Sequence, residues 1–161
     1  MVGVSPQGTV KLFNLLGSTQ LIVDVVARFR GTTALDANPA GRVLALDAPI
    51  RLVDTRITPG VPLGPGARSW SFGALESSMP TGVGVQGLVM NATATEATAS
   101  TYLTLYPGGA GLPTASNLNV KPGQNIPNLA VARLSATESL DVYNLTGNVH
   151  YIFDVTSLVL G

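Results

Sequence analysis

His150 is the only histidine in the chain, and Asp154 stands four residues after it. Residues at even spacing share a face of a strand, so the two side chains have the relation that a general base and its orienting carboxylate require. The other half of a hydrolytic set is missing. Serines are plentiful, but no Gly-x-Ser-x-Gly segment is present to expose one as a nucleophile. Gly82-Val83-Gly84-Val85-Gln86-Gly87 matches the letters of a dinucleotide fingerprint. That fingerprint works only between a strand and a helix, whose N-terminus receives the phosphates. Here Pro80 precedes it and a period-two pattern follows, which predicts a turn. One histidine, no cysteine and scattered carboxylates leave no set of ligands for zinc. No catalytic, cofactor or metal site is therefore expected.

Asp54-Thr55-Arg56 and the aspartates Asp24 and Asp154 are polar groups set in or beside apolar runs. They could contact a ligand such as a sugar hydroxyl. The structural reading is stronger, because charge near a core is tolerated mainly when paired. It pairs Arg56 with Asp154, gives Thr55 a capping role, and gives Asp24 an equivalent interaction elsewhere. Trp70, Tyr102, Tyr106 and Tyr143 could form a sugar platform, but their dispersal favours core or inter-subunit packing. Asn91-Ala92-Thr93 and Asn144-Leu145-Thr146 have the glycosylation pattern, and Asn144 reads as a turn residue flanking Gly147.

The elements that must hold these residues have a period of two. Ile50–Asp54, Ala67–Phe72, Val85–Thr93, Thr101–Tyr106, Ala115–Val120 and Asn128–Leu134 are expected strands, punctuated by turns such as Pro59-Gly60, Pro107-Gly108-Gly109 and Pro122-Gly123. No segment carries a sustained helical stripe. The expected fold is all-β, an antiparallel sandwich or flattened barrel.

The chain also repeats itself. Ser5–Gly31 aligns without a gap on Ser135–Gly161, with identities at Ser5/Ser135, Asn14/Asn144, Leu15/Leu145, Gly17/Gly147, Ile22/Ile152, Asp24/Asp154, Val25/Val155 and Gly31/Gly161. Gln20 stands where the copy has His150, which weakens any general-base reading. Thr9–Asn14 and Gln20–Phe29 are expected to form a hairpin across Leu15-Leu16-Gly17-Ser18, with Ser139–Asn144 and Val149–Thr156 as its copy. The chain therefore divides into the closing strands of a partial repeat (1–31), a polar linker (32–46) and a complete module (47–161). Leu12, Leu21, Val23 and Val25 give the first hairpin an apolar face that a two-stranded ribbon cannot bury alone. That face is expected to meet a neighbouring subunit or to complete a second sandwich.

Composition narrows the function classes. The 161 residues are 45% hydrophobic but only 6% aromatic, with 11% charged and a net charge of zero. The charged fraction is less than half of the ~25% usual in globular proteins, which suits a surface covered by neighbours or working outside a cell. The nine basic residues are scattered, so the electrostatic stripe of a nucleic-acid binder is missing. No apolar run approaches the ~20 residues of a membrane span. Met1 is not followed by the pattern of a secretory signal.

At Arg51-Leu52-Val53-Asp54-Thr55-Arg56, after Pro49, the chain resembles a domain of actinobacterial secreted and cell-surface proteins that also occurs in structural proteins of phages infecting them. The resemblance continues through Gly87–Thr95, Tyr102–Pro107, Pro113–Asn119, Pro122-Gly123-Gln124, Pro127-Asn128-Leu129 and Phe153-Asp154-Val155. It implies a β-domain without a defined activity. Family members often carry two cysteines at positions matching Gly108 and Asp141 or Val142, and both are absent here. Their joint absence suits folding in a non-oxidising compartment. The expectation is a virion component, a capsid decoration or tail module, with further copies or capsid and tail proteins as partners. The alternative is a cell-surface module that binds cell-wall carbohydrate.

Overall fold

Between its Gly- and Pro-rich turns the chain places β-branched and large apolar residues at alternate positions, and each such run becomes a strand with one face inward. A computed structural model describes Ser5 and residues 7–23, 41–78 and 83–161. Eight strands follow in order: β1 (Val43–Asp54), β2 (Gly66–Ser71), β3 (Val85–Thr95), β4 (Thr101–Pro107), β5 (Leu118–Val120), β6 (Ile126–Arg133), β7 (Ser139–Asn144) and β8 (His150–Leu160). A single 3₁₀ segment, Gly73–Ser78, follows β2. The strands form two four-stranded antiparallel sheets, β1-β8-β3-β6 and β2-β7-β4-β5. The fold is an all-β sandwich and not a closed barrel.

The core lies between the sheets. Leu88 and Met90 of β3, Leu103 of β4, Leu118 of β5, Leu140 and Val142 of β7, and Tyr151, Phe153 and Val155 of β8 are fully buried. With few aromatics available, the packing alternates large and small side chains. Leu88 lies opposite Ala132 and Met90 opposite Ala130 across the β3–β6 ladder. Such interdigitation lets a core of mostly aliphatic residues reach native density. The Lys121–Gln124 turn between β5 and β6 shows the local logic. Pro122 and Gly123 take its two central positions, Gly123 has φ +78°, and the Gln124 amide donates to the Lys121 carbonyl at 3.1 Å. A type II turn requires that positive φ at its second central residue.

Three sequence expectations are corrected. Strand β1 starts at Val43, inside the segment 32–46 read as a linker, because Val43, Leu44 and Ala45 pair with Val159, Leu158 and Ser157 of β8. β7 and β8 do not form a hairpin. They lie in opposite sheets, so Leu145–Val149 is an arch from one sheet to the other. A short Gly-containing connection permits either geometry, and here both strands find inner positions, β7 between β2 and β4 and β8 between β1 and β3. Finally, Thr9–Asn14 and Gln20–Val23 belong to no strand or ladder, while residues 24–31, including Asp24 and Val25, lie outside the described residues. A strand is stable only beside a partner, and among the described residues this segment has none in a sheet.

Candidate functional site

The Arg51–Arg56 motif closes one end of β1 against the start of β8. A register shift between Arg51 and Val53 places Arg51 directly opposite Asp154. The guanidinium reaches both carboxylate oxygens, Nε to Oδ1 at 2.8 Å and the Nη2 amino group to Oδ2 at 3.1 Å. Arg56 grips Asp54 in the same two-pronged way, Nε to Oδ1 at 2.9 Å and Nη2 to Oδ2 at 2.7 Å. Arg51 also approaches Asp54 at 3.5 Å, which links the two pairs. The expected Arg56–Asp154 pair is therefore not the one formed. Each aspartate binds the arginine that the strand register and the turn bring nearest.

Asp54 organises the turn as well. Its carbonyl accepts from the amides of Ile57 and Thr58, at 3.0 and 2.9 Å, and its Oδ1 accepts the Arg56 amide at 3.2 Å. The Arg56 guanidinium, working against the desolvation of a nearly buried carboxylate, lowers the pKa of Asp54 from 3.8 to about 2. Thr55 is buried, and its Oγ1 accepts the Tyr151 amide at 2.9 Å and sits 3.0 Å from His150 Nδ1. His150 and Asp154 are thus each engaged with a different residue of the motif. The arrangement holds strands together. Among the described residues, no three metal-ligating side chains converge.

The four aromatics separate into two environments. Trp70 donates its Nε1–H to the Tyr151 hydroxyl at 2.7 Å, with the rings perpendicular and 6.5 Å apart, inside the sandwich. Tyr102 and Tyr143 stand on the outer face of the second sheet, 6.1 Å apart. Tyr102 pairs with Asn119 across β4–β5, and a shallow depression beside it includes Lys121 and Gln124. Tyr106 is buried on the same sheet, and that burial raises its pKa.

In sequence, the buried Asp141 carried no expected role and the buried Asn144 only that of a turn residue. Asp141 accepts hydrogen bonds from Ser69 Oγ and, at 3.0 Å, from the Gly109 amide. This clamp ties the loop after β4 to β7. Asn144 is fully buried at the start of the arch: Nδ2 donates to the carbonyls of Gly147 at 2.8 Å and Leu63 at 3.0 Å, and Oδ1 accepts from Thr101 at 2.6 Å. Its signal was its identity with Asn14 in the repeat.

The N-terminal segment reproduces the turn before β7 and the hydrogen bond that shapes the arch after it, without the sandwich around them. The Ser5 amide donates to the Thr9 carbonyl at 3.0 Å, as Ser135 does to Ser139 at 2.9 Å. The Gly8 amide donates to Ser5 at 2.9 Å, as Glu138 does to Ser135 at 3.0 Å. The Ser5 and Thr9 hydroxyls are 2.7 Å apart, matching the 2.7 Å between those of Ser135 and Ser139. Asn14 Nδ2 reaches the Gly17 carbonyl at 2.8 Å, the same distance as Asn144 to Gly147. Gly17 and Gly147 both take positive φ, 69° and 61°. The contrast is in burial. Leu12, Leu21 and Val23 are 60 to 66% exposed, whereas their counterparts Val142, Tyr151 and Phe153 are wholly buried. No family model matches the chain, and no curated protein or solved structure matches it either.

Proposed function

We propose that this chain is a non-catalytic structural protein that assembles through its N-terminal segment, as a surface component of a virion (capsid decoration or tail module) of a phage infecting actinobacteria. One observation carries the assembly reading: an apolar segment with the turn geometry of two core strands stands unburied beside a sandwich that is already complete. Exposed apolar side chains in such number mark a surface that meets a partner. The virion assignment rests on the family resemblance and on the missing cysteines, with capsid or tail proteins, or further copies of the chain, as partners. The test is mass spectrometry of purified particles from a phage encoding the chain. Stoichiometric presence supports the reading, and its absence from particles overturns it.

The alternative, a cell-surface module for carbohydrate, draws support from Tyr102 and Tyr143 side by side near Asn119, Lys121 and Gln124. Aromatic faces with adjacent hydrogen-bonding groups suit sugar rings. Sedimentation with purified actinobacterial cell-wall polysaccharide, lost in a Tyr102→Ala/Tyr143→Ala variant of unchanged stability, would favour this reading.

A further inference from the structure

We infer that residues 5–23 serve as strands seven and eight of a second β-sandwich, whose first six strands form an acceptor distinct from the module in residues 41–161. This deepens the assembly reading and rests on it. The repeat assigns each arm residue a position in a sandwich. Val10, Leu12 and Asn14 correspond to the buried Leu140, Val142 and Asn144 of β7, and Leu21 and Val23 to the buried Tyr151 and Phe153 of β8. The arm keeps apolar side chains at the inward positions and Asn at the arch. It already holds the hydrogen bonds that shape the turn before β7 and the arch after it. A segment whose turns are pre-set in their bound geometry loses less conformational freedom on docking.

The module's own slot is the wrong acceptor. It is occupied by β7 and β8, and the arm differs where that slot is most demanding. Lys11 stands at the position of Asp141, whose carboxylate takes the Ser69 hydroxyl and the Gly109 amide. An ammonium has donors only; it could donate to the Ser69 hydroxyl but would leave the Gly109 amide without an acceptor. Leu21 stands at Tyr151, whose hydroxyl accepts the Trp70 indole N–H, and Val23 is smaller than Phe153. The matching acceptor would therefore present a carboxylate or carbonyl to Lys11, an apolar group where Trp70 lies here, and a larger core residue facing Val23. Asp24, the counterpart of Asp154, calls for an arginine at the position of Arg51.

The experiment replaces residues 1–3 of the chain with a second copy of residues 41–133, so that Arg133 runs into Val4 as it runs into Leu134 in the module. In a Lys11→Asp/Leu21→Tyr version, fitted to these added strands, amide hydrogen exchange at residues 9–14 and 20–23 should slow by about 100-fold relative to the unextended chain, as expected when a frayed segment joins a cooperative unit. The natural arm, mismatched to these strands at both positions, should slow by less. A control extended with residues 41–161, which brings its own β7 and β8, should fold its added module and leave the arm exchanging freely. If the control folds but the arm exchanges at its unextended rate in both the natural and the fitted versions, the inference is overturned. It is also overturned if the unextended chain dimerises with protection of the arm and loss of protection in β7 and β8, because the acceptor is then a second copy. Neither result bears on whether the chain is found in particles, so failure of this inference and failure of the proposed function are separable.

Discussion

At the scale of single residues, the Arg51–Arg56 motif behaves as a charge-assisted lock. Asp54 has a folded-state pKa of about 2 against an ordinary value of 3.8, so it remains ionised in the folded chain after it has protonated in the unfolded one. Its contribution to stability is complete above the ordinary value and is lost as pH falls from 3.8 through about 2. Asp54→Asn should therefore lower the unfolding free energy from urea titration near neutral pH by about 2 kcal/mol, as for hydrogen bonds to a charged group. The difference from the natural chain should shrink toward zero at about pH 2. A penalty that stays constant with pH would show that the turn contacts of Asp54, not its charge, matter. Asn144 offers a second test. Asn144→Ala leaves the buried Leu63 carbonyl and the Thr101 hydroxyl short of a partner and should cost about 3 kcal/mol by denaturant titration. Asn14→Ala, which removes the same turn bond in the exposed arm, should leave the unfolding midpoint unchanged.

At the scale of elements, the same two-strand sequence occurs in two settings. β8 lies between β1 and β3 with Phe153 wholly buried, and truncation to alanine there should cost about 3–5 kcal/mol. Val23, its counterpart, is 65% exposed, so Val23→Ala should not alter thermal or urea unfolding. Removal of residues 1–31 should likewise leave the midpoint and slope of urea unfolding unchanged, since the slope follows the surface exposed on unfolding and the described part of the arm buries little. The same truncation should abolish assembly, read by light scattering or particle binding. If it instead unfolds the module, the arm belongs to the single core and the assembly reading fails.

At the scale of the whole molecule, the two sheets depend on each other through β7 and β8, each inner in its own sheet and joined by one arch. No sheet can therefore be lost alone, and the module should unfold in a single transition, with tryptophan fluorescence and far-ultraviolet dichroism coinciding. Trp70 reports on the core through its bond to Tyr151. Non-coincident transitions would mean that the sheets separate before the strands melt.

Period-two alternation and Gly/Pro punctuation were enough to establish the all-β class and to locate the eight strands of the module, though not where β1 begins, because alternation follows directly from the geometry of a pleated chain with one buried face. The repeat was equally legible, and with it the equivalence of Asn14 to Asn144 and of Asp24 to Asp154. Ion partners were not. Arg51 meets Asp154 because of a register shift in β1, and which arginine faces which carboxylate is set by pairing across more than a hundred residues. Nor could the sequence distinguish a hairpin from an arch at Leu145–Val149, since both accept a short loop with glycine at positive φ. That choice was made by the competition among all eight strands for neighbours. The same competition left the described part of the first copy of β7 and β8 unburied: shared local preferences produce matching turns, but a strand becomes part of a sheet only where other strands are present to receive it.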